Sequence, residues 1–293
     1  MDNFTQYTQN ADAYYAEAFQ RNIGLLTPNE QKKLRHFKIA IAGVGGVGGF
    51  HLLTLLRLGF GNFHIADMDT YEVANFQRQC GAFMHTLGKN KSDTMKEIAL
   101  SINPHAKIKS FNKGVLKDNV DEFLSDVDVL IDGIEFFSIE IRRLIFSEAQ
   151  KRGIHVVTAG PLGWGTVMLT FSPTSMSFDQ YFDINDNMTV LEKVIAFGVG
   201  LAPASLHMRY IDLDSVDLKS KQGPSLVSAC QLCASQASTE ILTILLKRRT
   251  IRAVPHYFQF DPYLQKSKRG YCIGGNRNFW QKIKRWYLFK RFA

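Results

Sequence analysis

The sequence lacks several features that would place it in a specialised structural class. It has no run of about 18 apolar residues, so we expect no transmembrane helix. Its first residues do not show the basic and then apolar pattern of a secretory signal, and a cytoplasmic location is the resulting expectation. Only four of its 293 residues are cysteine, too few for a disulfide scaffold of this size. These absences, with 45% apolar residues, indicate an ordinary globular protein with a sizeable core.

Acidic residues are missing from the C-terminal end of the chain. Nine of the 35 Lys and Arg residues follow Asp261, and no Asp or Glu does. The rest of the chain has 26 basic and 27 acidic residues, so the formal net charge of +8 belongs to this end. Residues 277–293 predict a basic aromatic helix. Such a helix either docks on the protein body or binds an acidic partner or a membrane surface.

The cysteines include one C-x-x-C pair, Cys230 and Cys233. A structural zinc ion normally needs four ligands, and the chain offers only this pair. The pair opens an Ala-, Ser- and Leu-rich segment that predicts a helix over residues 230–246. We therefore interpret both cysteines as small buried residues rather than as metal ligands.

A glycine-rich turn near the N-terminus organises the chain. Residues 39–42 are a short apolar run typical of a buried strand, and residues 49–59 predict a helix. The glycines between them form a G-x-G-x-x-G motif with one extra glycine: Gly43, Gly45, Gly46 and Gly48. Such a turn lets the backbone approach a phosphate, which the helix N-terminus attracts. A second strand, residues 62–66, ends at Asp67, whose carboxylate can bind ribose. Taken alone, this pattern leaves a redox dinucleotide and ATP equally open.

Charged and amide side chains after the second strand favour ATP. They are Asp69, Asn75, Arg78, Gln79 and Lys91. A site that holds a triphosphate and releases pyrophosphate needs cations at this place, whereas a redox dinucleotide site does not. The pattern therefore predicts an ATP site at the carboxyl ends of the strands.

The spacing Asp67-x-Asp69-x5-Asn75-x-x-Arg78-Gln79, followed by Lys91, resembles the ThiF/MoeB/HesA family, the bacterial relatives of ubiquitin-activating enzymes. The resemblance implies a nucleotidyltransferase that uses ATP and Mg²⁺ to activate a carboxylate as an acyl-adenylate. It implies that Arg78 and Lys91 hold the phosphates and that Asn75 orients the α-phosphate or the ribose.

The resemblance also implies a homodimer and a metal site. An arginine ahead of the glycine loop reaches the neighbouring subunit's ATP in this family, and Arg21 matches its place. A magnesium-binding aspartate of the family matches Glu135 here, and Asp132 is the second candidate ligand.

Strands alternating with helices from residue 38 to residue 159 predict an α/β fold. We expect a doubly wound, mainly parallel Rossmann-like sheet with helices on both faces and a C-terminal substrate-side extension. Loops are expected at residues 160–165 and 172–186. The expected segments are an N-terminal helical arm (1–25), an ATP-binding Rossmann-like domain (26–160), a substrate or partner side of the same fold (161–262) and a basic aromatic tail (263–293).

The identity of the substrate stays open at this stage. The resemblance implies a ubiquitin-like protein, a peptide, a small molecule or an RNA base. No cysteine lies between Cys80 and Cys230, which disfavours transfer to a thioester. Direct attack by an amine or a sulfur donor fits better, as does intramolecular closure of the kind that the family's RNA-modifying dehydratases perform. The alternatives are a catalytically silent scaffold, suggested by Glu135, and an NAD- or FAD-binding oxidoreductase.

Overall fold

The computed structural model describes residues 3–216 and 223–293, which build helices around a single eight-stranded sheet. The order across the sheet is β3-β2-β1-β4-β5-β6-β7-β8. The first five strands in this order run parallel, and β6, β7 and β8 are antiparallel to their neighbours. The strands are β1 (Lys38–Ala42), β2 (Asn62–Ala66), β3 (Lys107–Phe111), β4 (Val129–Asp132), β5 (His155–Leu162), β6 (Gly165–Phe171), β7 (His256–Asp261) and β8 (Lys266–Tyr271).

The helices connect these strands and cover both faces of the sheet. Several begin with a side-chain cap, as at Thr27, whose hydroxyl accepts a hydrogen bond from the Glu30 amide in the predicted capping box. The helices are α1 (Asn3–Gln9), α2 (Ala11–Ala18), α3 (Pro28–Leu34), α4 (Gly46–Leu58), α5 (Lys91–Ile102), α6 (Val120–Phe123), α7 (Ile139–Lys151), α8 (Phe178–Phe182), α9 (Val190–Leu201), α10 (Val227–Leu245) and α11 (Phe279–Phe292).

Alternation along the parallel strands divides the core into two layers. Ile39 and Ile41 of β1 face a cluster that includes residues of α4, α5 and α10. Ala40 and Ala42 face the opposite cluster, which includes residues of α7, α8 and α9. Both sets are buried, as a two-residue period in a sheet covered on both faces requires. Each fully buried leucine or phenylalanine stabilises this arrangement by about 1.5–3 kcal/mol.

The topology decides where a ligand can bind. Strand β1 lies between β2 and β4. The strands β2 and β3 that follow it in the chain lie on one side of β1, and β4 and β5 lie on the other side. In such sheets the crevice lies beyond the carboxyl ends of the two strands where the order reverses. The glycine turn after β1 and the loop after β4 therefore form this crevice, which confirms the predicted Rossmann-like fold.

Three segments differ from the sequence-based expectations. Strand β5 continues to Leu162, so the expected glycine-rich loop is a tight turn at Gly163 and Trp164. The expected loop at residues 172–186 contains the short helix α8, which Ser177 caps. Strands β7 and β8 were not predicted. Strand β8 is a polar edge strand, and its alternation is too weak to read from the sequence.

The predicted C-terminal tail is part of the folded body. Its first portion forms β8, which pairs with β7, and its last portion forms α11, which packs on α9. The helix prediction is confirmed for Phe279–Phe292. Of the alternatives given for this helix, the structure shows the one in which it docks on the protein body.

Candidate functional site

Two glycines of the turn after β1 are required by the fold itself. Gly43 has φ of +84°, and a Cβ atom added there would lie 2.3 Å from the Gly133 carbonyl oxygen. A Cβ atom on Gly48 would lie 1.8 Å from the Gly43 carbonyl oxygen. Both contacts are with backbone, which cannot move aside, so neither position accepts a side chain. These glycines let the turn, α4 and the loop after β4 pack together.

The other two glycines are not required by packing. A Cβ atom on Gly45 would lie 3.5 Å from the Gln79 amide nitrogen, and one on Gly46 would lie 3.6 Å from the Cys230 sulfur and 3.7 Å from Arg78 Cδ. These are ordinary van der Waals distances. Helix α4 begins at Gly46, three residues earlier than expected, so its first N–H groups lie in this glycine segment. The segment therefore presents unpaired backbone donors and a positive helix end beside Arg78 and Gln79.

Asp67, at the end of β2, is tied to the glycine turn. Its Oδ2 accepts a hydrogen bond of 2.9 Å from the Val44 amide, and its Oδ1 accepts one of 3.0 Å from the Asp69 amide. Burial raises the pKa of this carboxyl group. The predicted ribose ligand thus also holds the loop, a role that the sequence did not indicate.

Lys91 is the first residue of α5 and is buried. Its ammonium group lies 3.2 Å from Asp69 Oδ2, and its amide donates to the Asp69 carbonyl oxygen at 2.9 Å. The predicted cation is therefore positioned by Asp69, which itself is exposed. A buried lysine held by a single carboxylate retains donors for a second anion.

The segment after β2 brings three further predicted residues together. Asn75 is buried, and its Oδ1 accepts a hydrogen bond of 3.0 Å from the Glu72 amide. Arg78 donates to the Ala74 carbonyl oxygen at 3.1 Å. Gln79 is also buried, and its Oε1 atom has no hydrogen-bond partner within the described residues. An unsatisfied buried acceptor is costly, and a nucleotide hydroxyl or amino group would satisfy it.

Asp132, the second candidate metal ligand, is engaged in a buried ion pair. Its Oδ2 accepts hydrogen bonds from Arg142 Nε at 2.9 Å and from the Thr158 hydroxyl, and its Oδ1 accepts one from the Ile134 amide at 3.2 Å. The side chains of Asp132 and Arg142 are each only 3% exposed. Both Asp132 oxygens therefore accept hydrogen bonds from the protein, and its role as a metal ligand stays a prediction.

Arg142 is a site residue that the sequence reasoning missed. Its guanidinium donates to the carbonyl oxygens of Ile134 at 2.6 Å, Glu135 at 3.3 Å and Phe136 at 3.4 Å. It thereby fixes the loop that presents the exposed Glu135 at the carboxyl end of β4. Arg142 follows Asp132 by ten residues, but the sequence alone could not show that its side chain points back toward Asp132 at the end of β4.

Glu135 is the first candidate for binding magnesium. Its Oε2 accepts a hydrogen bond of 2.7 Å from the Phe137 amide. No group of three His, Cys, Asp or Glu side chains arranged for a metal occurs among residues 3–216 and 223–293.

Arg21 lies apart from the other predicted site residues. It belongs to a 3₁₀ turn, Gln20–Asn22, just after α2. Its side chain is exposed and forms no ion pair or hydrogen bond with any residue of the described chain. The predicted phosphate contact across a dimer is thus compatible with its exposure and stays a prediction.

Both cysteines of the C-x-x-C pair are buried in α10, as expected. Cys233 Sγ lies 3.2 Å from the Thr166 hydroxyl, and Cys230 lies against Gly46 and Arg78. Burial raises the pKa of both thiols, which disfavours the nucleophilic thiolate. The proximity of Cys230 to the glycine segment was not foreseen, because the two positions are far apart in the sequence.

Comparisons with known proteins find one matching family and several relatives. The model of the ThiF family matches residues 19–276. A tRNA threonylcarbamoyladenosine dehydratase of Haemophilus influenzae is 31% identical over 143 residues, which are 48% of this chain and 54% of that protein. A probable adenylyltransferase/sulfurtransferase, MoeZ, of Mycobacterium tuberculosis is 26% identical over 47% of this chain and 33% of its own length. The chain thus spans about half or less of the length of these relatives.

The fold has solved counterparts. The crystal structure of Escherichia coli MccB with ATP superposes with a TM-score of 0.63 at 15% identity and covers 88% of this chain and 71% of MccB. At this identity the likeness concerns the fold alone.

Proposed function

This chain belongs to the ThiF family, and from that premise we propose that it is an ATP- and Mg²⁺-dependent adenylyltransferase that activates a carboxylate. In the proposed reaction a carboxylate oxygen of the substrate attacks the α-phosphorus of ATP. The bond from that phosphorus to the bridging oxygen breaks, so the products are an acyl-adenylate and pyrophosphate. The reaction needs no oxidant and no residue that becomes covalently modified.

One observation carries the proposal. Gly43 and Gly48 are glycine because the protein backbone leaves no room, whereas Gly45 and Gly46 have room for a side chain and are glycine nonetheless. A bound group that approaches the backbone closely accounts for these two glycines. The neighbouring Gln79 Oε1, buried and without a partner in the described residues, supports a polar ligand at the same place.

The cations of the site suit two anionic reactants. A carboxylate and a triphosphate repel each other, so catalysis depends on positioning and charge neutralisation. Arg78 lies beside Gly46, and Lys91 lies beside Asp69. Both side chains can hold phosphate oxygens. Magnesium bound by Glu135 would supply further positive charge at the phosphates. Arg142 would act indirectly, by holding the Glu135 loop.

The buried thiols bear on the fate of the acyl-adenylate. A transfer to cysteine needs an accessible thiolate, and burial raises the pKa of Cys230. Direct attack on the acyl-adenylate by an amine or a sulfur donor therefore fits this chain better, as does intramolecular closure. Relatives include a tRNA-modifying dehydratase and MccB, which has been solved with MccA. We propose a peptide or protein C-terminus, or a modified RNA base, as the class of carboxylate.

Nucleotide binding tests the proposal without knowledge of the acceptor. Titration calorimetry should detect ATP binding to the wild-type protein and no comparable binding of NAD⁺. Gly46→Ala places a methyl group where the protein has room, so thermal stability should persist while ATP affinity falls at least tenfold. Unchanged ATP affinity in a folded Gly46→Ala protein would remove this segment from the site.

Chemistry is tested by ATP–pyrophosphate exchange with candidate peptides and carboxylated RNA. Arg78→Ala and Lys91→Ala should each slow exchange by a factor corresponding to about 3–4 kcal/mol of barrier. Lys89→Ala, which removes an exposed lysine nearby, is the matched control and should leave the rate within a factor of a few. Tight ATP binding without exchange for any acceptor class would favour the catalytically silent scaffold.

We propose further that the active form is a homodimer in which Arg21 completes the partner's site. Its exposure and freedom from described partners support this arrangement. Arg21→Ala and Lys91→Ala proteins, each inactive alone, should regain about a quarter of site activity when mixed, because random pairing makes half of the dimers mixed with one intact site each. Proven subunit exchange without recovery would show that Arg21 does not act across subunits.

A further inference from the structure

Helix α11 has one face that is bound to the protein body. Gln281 is 2% exposed, and its amide donates to the Val199 carbonyl oxygen at 3.0 Å. The Lys284 ammonium donates to the Pro203 carbonyl oxygen at 2.7 Å, and Arg285 pairs with Asp183 at 2.8 Å. These contacts fix the rotation of the helix about its own axis, and with it the residues that face outward.

The outward face of α11 is aromatic and aliphatic. At about 100° per residue, the side chains opposite Gln281 recur at intervals of three and four positions. Trp280 is 68% exposed and Trp286 is 59% exposed, although both are large apolar side chains. The outward residues are Phe279, Trp280, Ile283, Trp286 and Tyr287, all of them exposed. A contiguous exposed patch of this kind marks an interaction surface.

The cations on or beside this face that form no ion pair within the described residues are lysines. Lys282 and Lys290 are exposed, and the Lys290 ammonium lies 4.5 Å from the centre of the Trp286 ring. The arginines of the same region are engaged elsewhere: Arg277 and Arg285 pair with Asp183, and Arg291 pairs with Asp214. No Asp or Glu follows Asp261 in the sequence, and the body aspartates that pair with this region, Asp183 and Asp214, pair with its arginines.

We propose that α11 is an interfacial membrane-binding helix that attaches this protein to an anionic lipid surface. Tryptophan, tyrosine and phenylalanine place apolar rings at the headgroup boundary, while lysine attracts anionic headgroups. No helix within the described chain is long and apolar enough to span a bilayer, so the helix lies in the plane of the surface. Its docked face keeps the protein body against the membrane.

The same features argue against two other occupants. A second copy seated on this face would bring two sets of lysines together, and like charges at an apolar contact are unfavourable. Nucleic-acid phosphates are best held by arginine forks, and the arginines of α11 already form ion pairs. Charge complementarity together with an aromatic surface therefore favours anionic lipid.

Vesicle binding tests the proposal with the full chain. Trp164→Phe leaves Trp280 and Trp286 as the only tryptophans, so fluorescence reports on α11 alone. Vesicles of phosphatidylcholine with phosphatidylglycerol should bind the protein, shift its emission to the blue and allow quenching by brominated acyl chains. Pure phosphatidylcholine should bind at least tenfold more weakly.

Two variants and their controls separate the contributions. Trp280→Ser with Trp286→Ser, read by vesicle sedimentation, should reduce binding at least tenfold, whereas Phe4→Ser, at an equally exposed aromatic residue, should not. Lys282→Gln with Lys290→Gln should weaken binding to anionic vesicles about twenty-fold or more, since each lysine near such a surface contributes about fivefold. The exposed pair Lys113→Gln and Lys117→Gln is the charge-matched control.

Three results would overturn the proposal. The first is no binding to anionic vesicles while circular dichroism shows a folded protein. The second is binding to tRNA or to an acidic protein that the tryptophan substitutions abolish while vesicle binding is absent. The third is a concentration-dependent dimer, seen by analytical ultracentrifugation, that the same substitutions dissociate.

Discussion

The parallel half of the sheet and the exposed end of the chain differ in how far their charged side chains are buried. Strands β1 and β4 are almost completely buried, and the ion pair between Asp132 and Arg142 beside them is 3% exposed on both sides. Strand β8 is mostly exposed, and the pair between Arg291 and Asp214 is 45% and 78% exposed. The buried pair holds the backbone in one geometry, whereas the charges of β8 and of the Arg291–Asp214 pair face the solvent.

This difference arises from coverage by helices. Helices cover both faces of the parallel strands, so a charge there needs a partner and fixed hydrogen bonds. The antiparallel end forms the edge of the sheet, where exposed lysines also discourage pairing with another chain. The two regions thus differ in how they bury and pair their charges. Experiments can challenge that division, beginning with the largest expected effect.

Removal of Arg142 should be the most damaging change. Arg142→Ala leaves the buried Asp132 carboxylate uncompensated and should lower the free energy of unfolding by about 3–5 kcal/mol. Arg291→Ala, at the exposed pair, should change it by less than about 1 kcal/mol. Urea unfolding of both variants measures the contrast. Equal losses at the two positions would erase the distinction between the halves.

The two classes of glycine should separate in the same measurement. Gly48→Ala forces a methyl group against the Gly43 carbonyl oxygen and should destabilise the protein by about 3 kcal/mol. Gly46→Ala meets only ordinary contacts and should leave the free energy of unfolding unchanged or raise it by up to about 1 kcal/mol, as for a glycine replaced where alanine fits. If Gly46→Ala unfolds the protein, packing explains that glycine and no ligand is needed.

His51 should lower the stability of the folded protein at acidic pH. It lies buried in α4, neither ring nitrogen has a hydrogen-bond partner within the described chain, and burial lowers its pKa to about 3. Because the folded pKa lies below the unfolded value of 6.5, stability is retained above that value and lost as pH falls toward 3.

At pH 5.5 the loss from His51 alone should be about 1.4 kcal/mol relative to pH 7.5. His51→Leu should remove this part of the pH dependence in denaturant melts, while His36→Leu, at an exposed histidine, should retain it. An unchanged slope in His51→Leu would show that the ring is solvated or paired.

A smaller effect of pH on stability should come from the ion pair between Arg248 and Glu30. The guanidinium of Arg248, just after α10, binds Glu30 of α3 at 2.6 Å and, with the Thr27 amide, lowers the pKa of Glu30 to about 2. This stabilisation is present above the unfolded pKa of 4.5 and is lost as pH falls from 4.5 toward 2. Glu30→Gln should make the free energy of unfolding depend slightly less on pH between 4.5 and 2, as measured by denaturant melts. A large loss of stability at pH 7 in this variant would contradict the expected small contribution of the pair.

Much of the nucleotide half could be predicted from the sequence. The apolar runs of β1, β2 and β4, the glycine turn and the capping box at Thr27 each express a local rule. Strand β8 and helix α8 could not be predicted in the same way. An edge strand has no strict apolar alternation, and α8 is a single short helix beginning within a loop-like segment.

The candidate site was predicted as a list of residues rather than as an arrangement. Asp67 bonds to the glycine turn and Gln79 lies beside Gly45, but the hydrogen bonds of Asp67 and Asn75 to backbone were not foreseen. Asp132 was the second candidate metal ligand, after Glu135. Its buried ion pair with Arg142 was not foreseen, because the two side chains meet only in the folded chain.

The sequence by itself determined the α/β class and the glycine turn, and it predicted a triphosphate ligand, because these depend on neighbouring residues and on short periods. Only the tertiary structure decided which glycines serve packing and which leave room for a ligand, since Gly48 meets the Gly43 backbone and Gly46 meets Arg78 and Cys230. It also decided which face of α11 points outward, because the contacts of Gln281 and Arg285 involve distant parts of the chain. Side-chain directions and burial are set by such long-range contacts, which no local pattern contains.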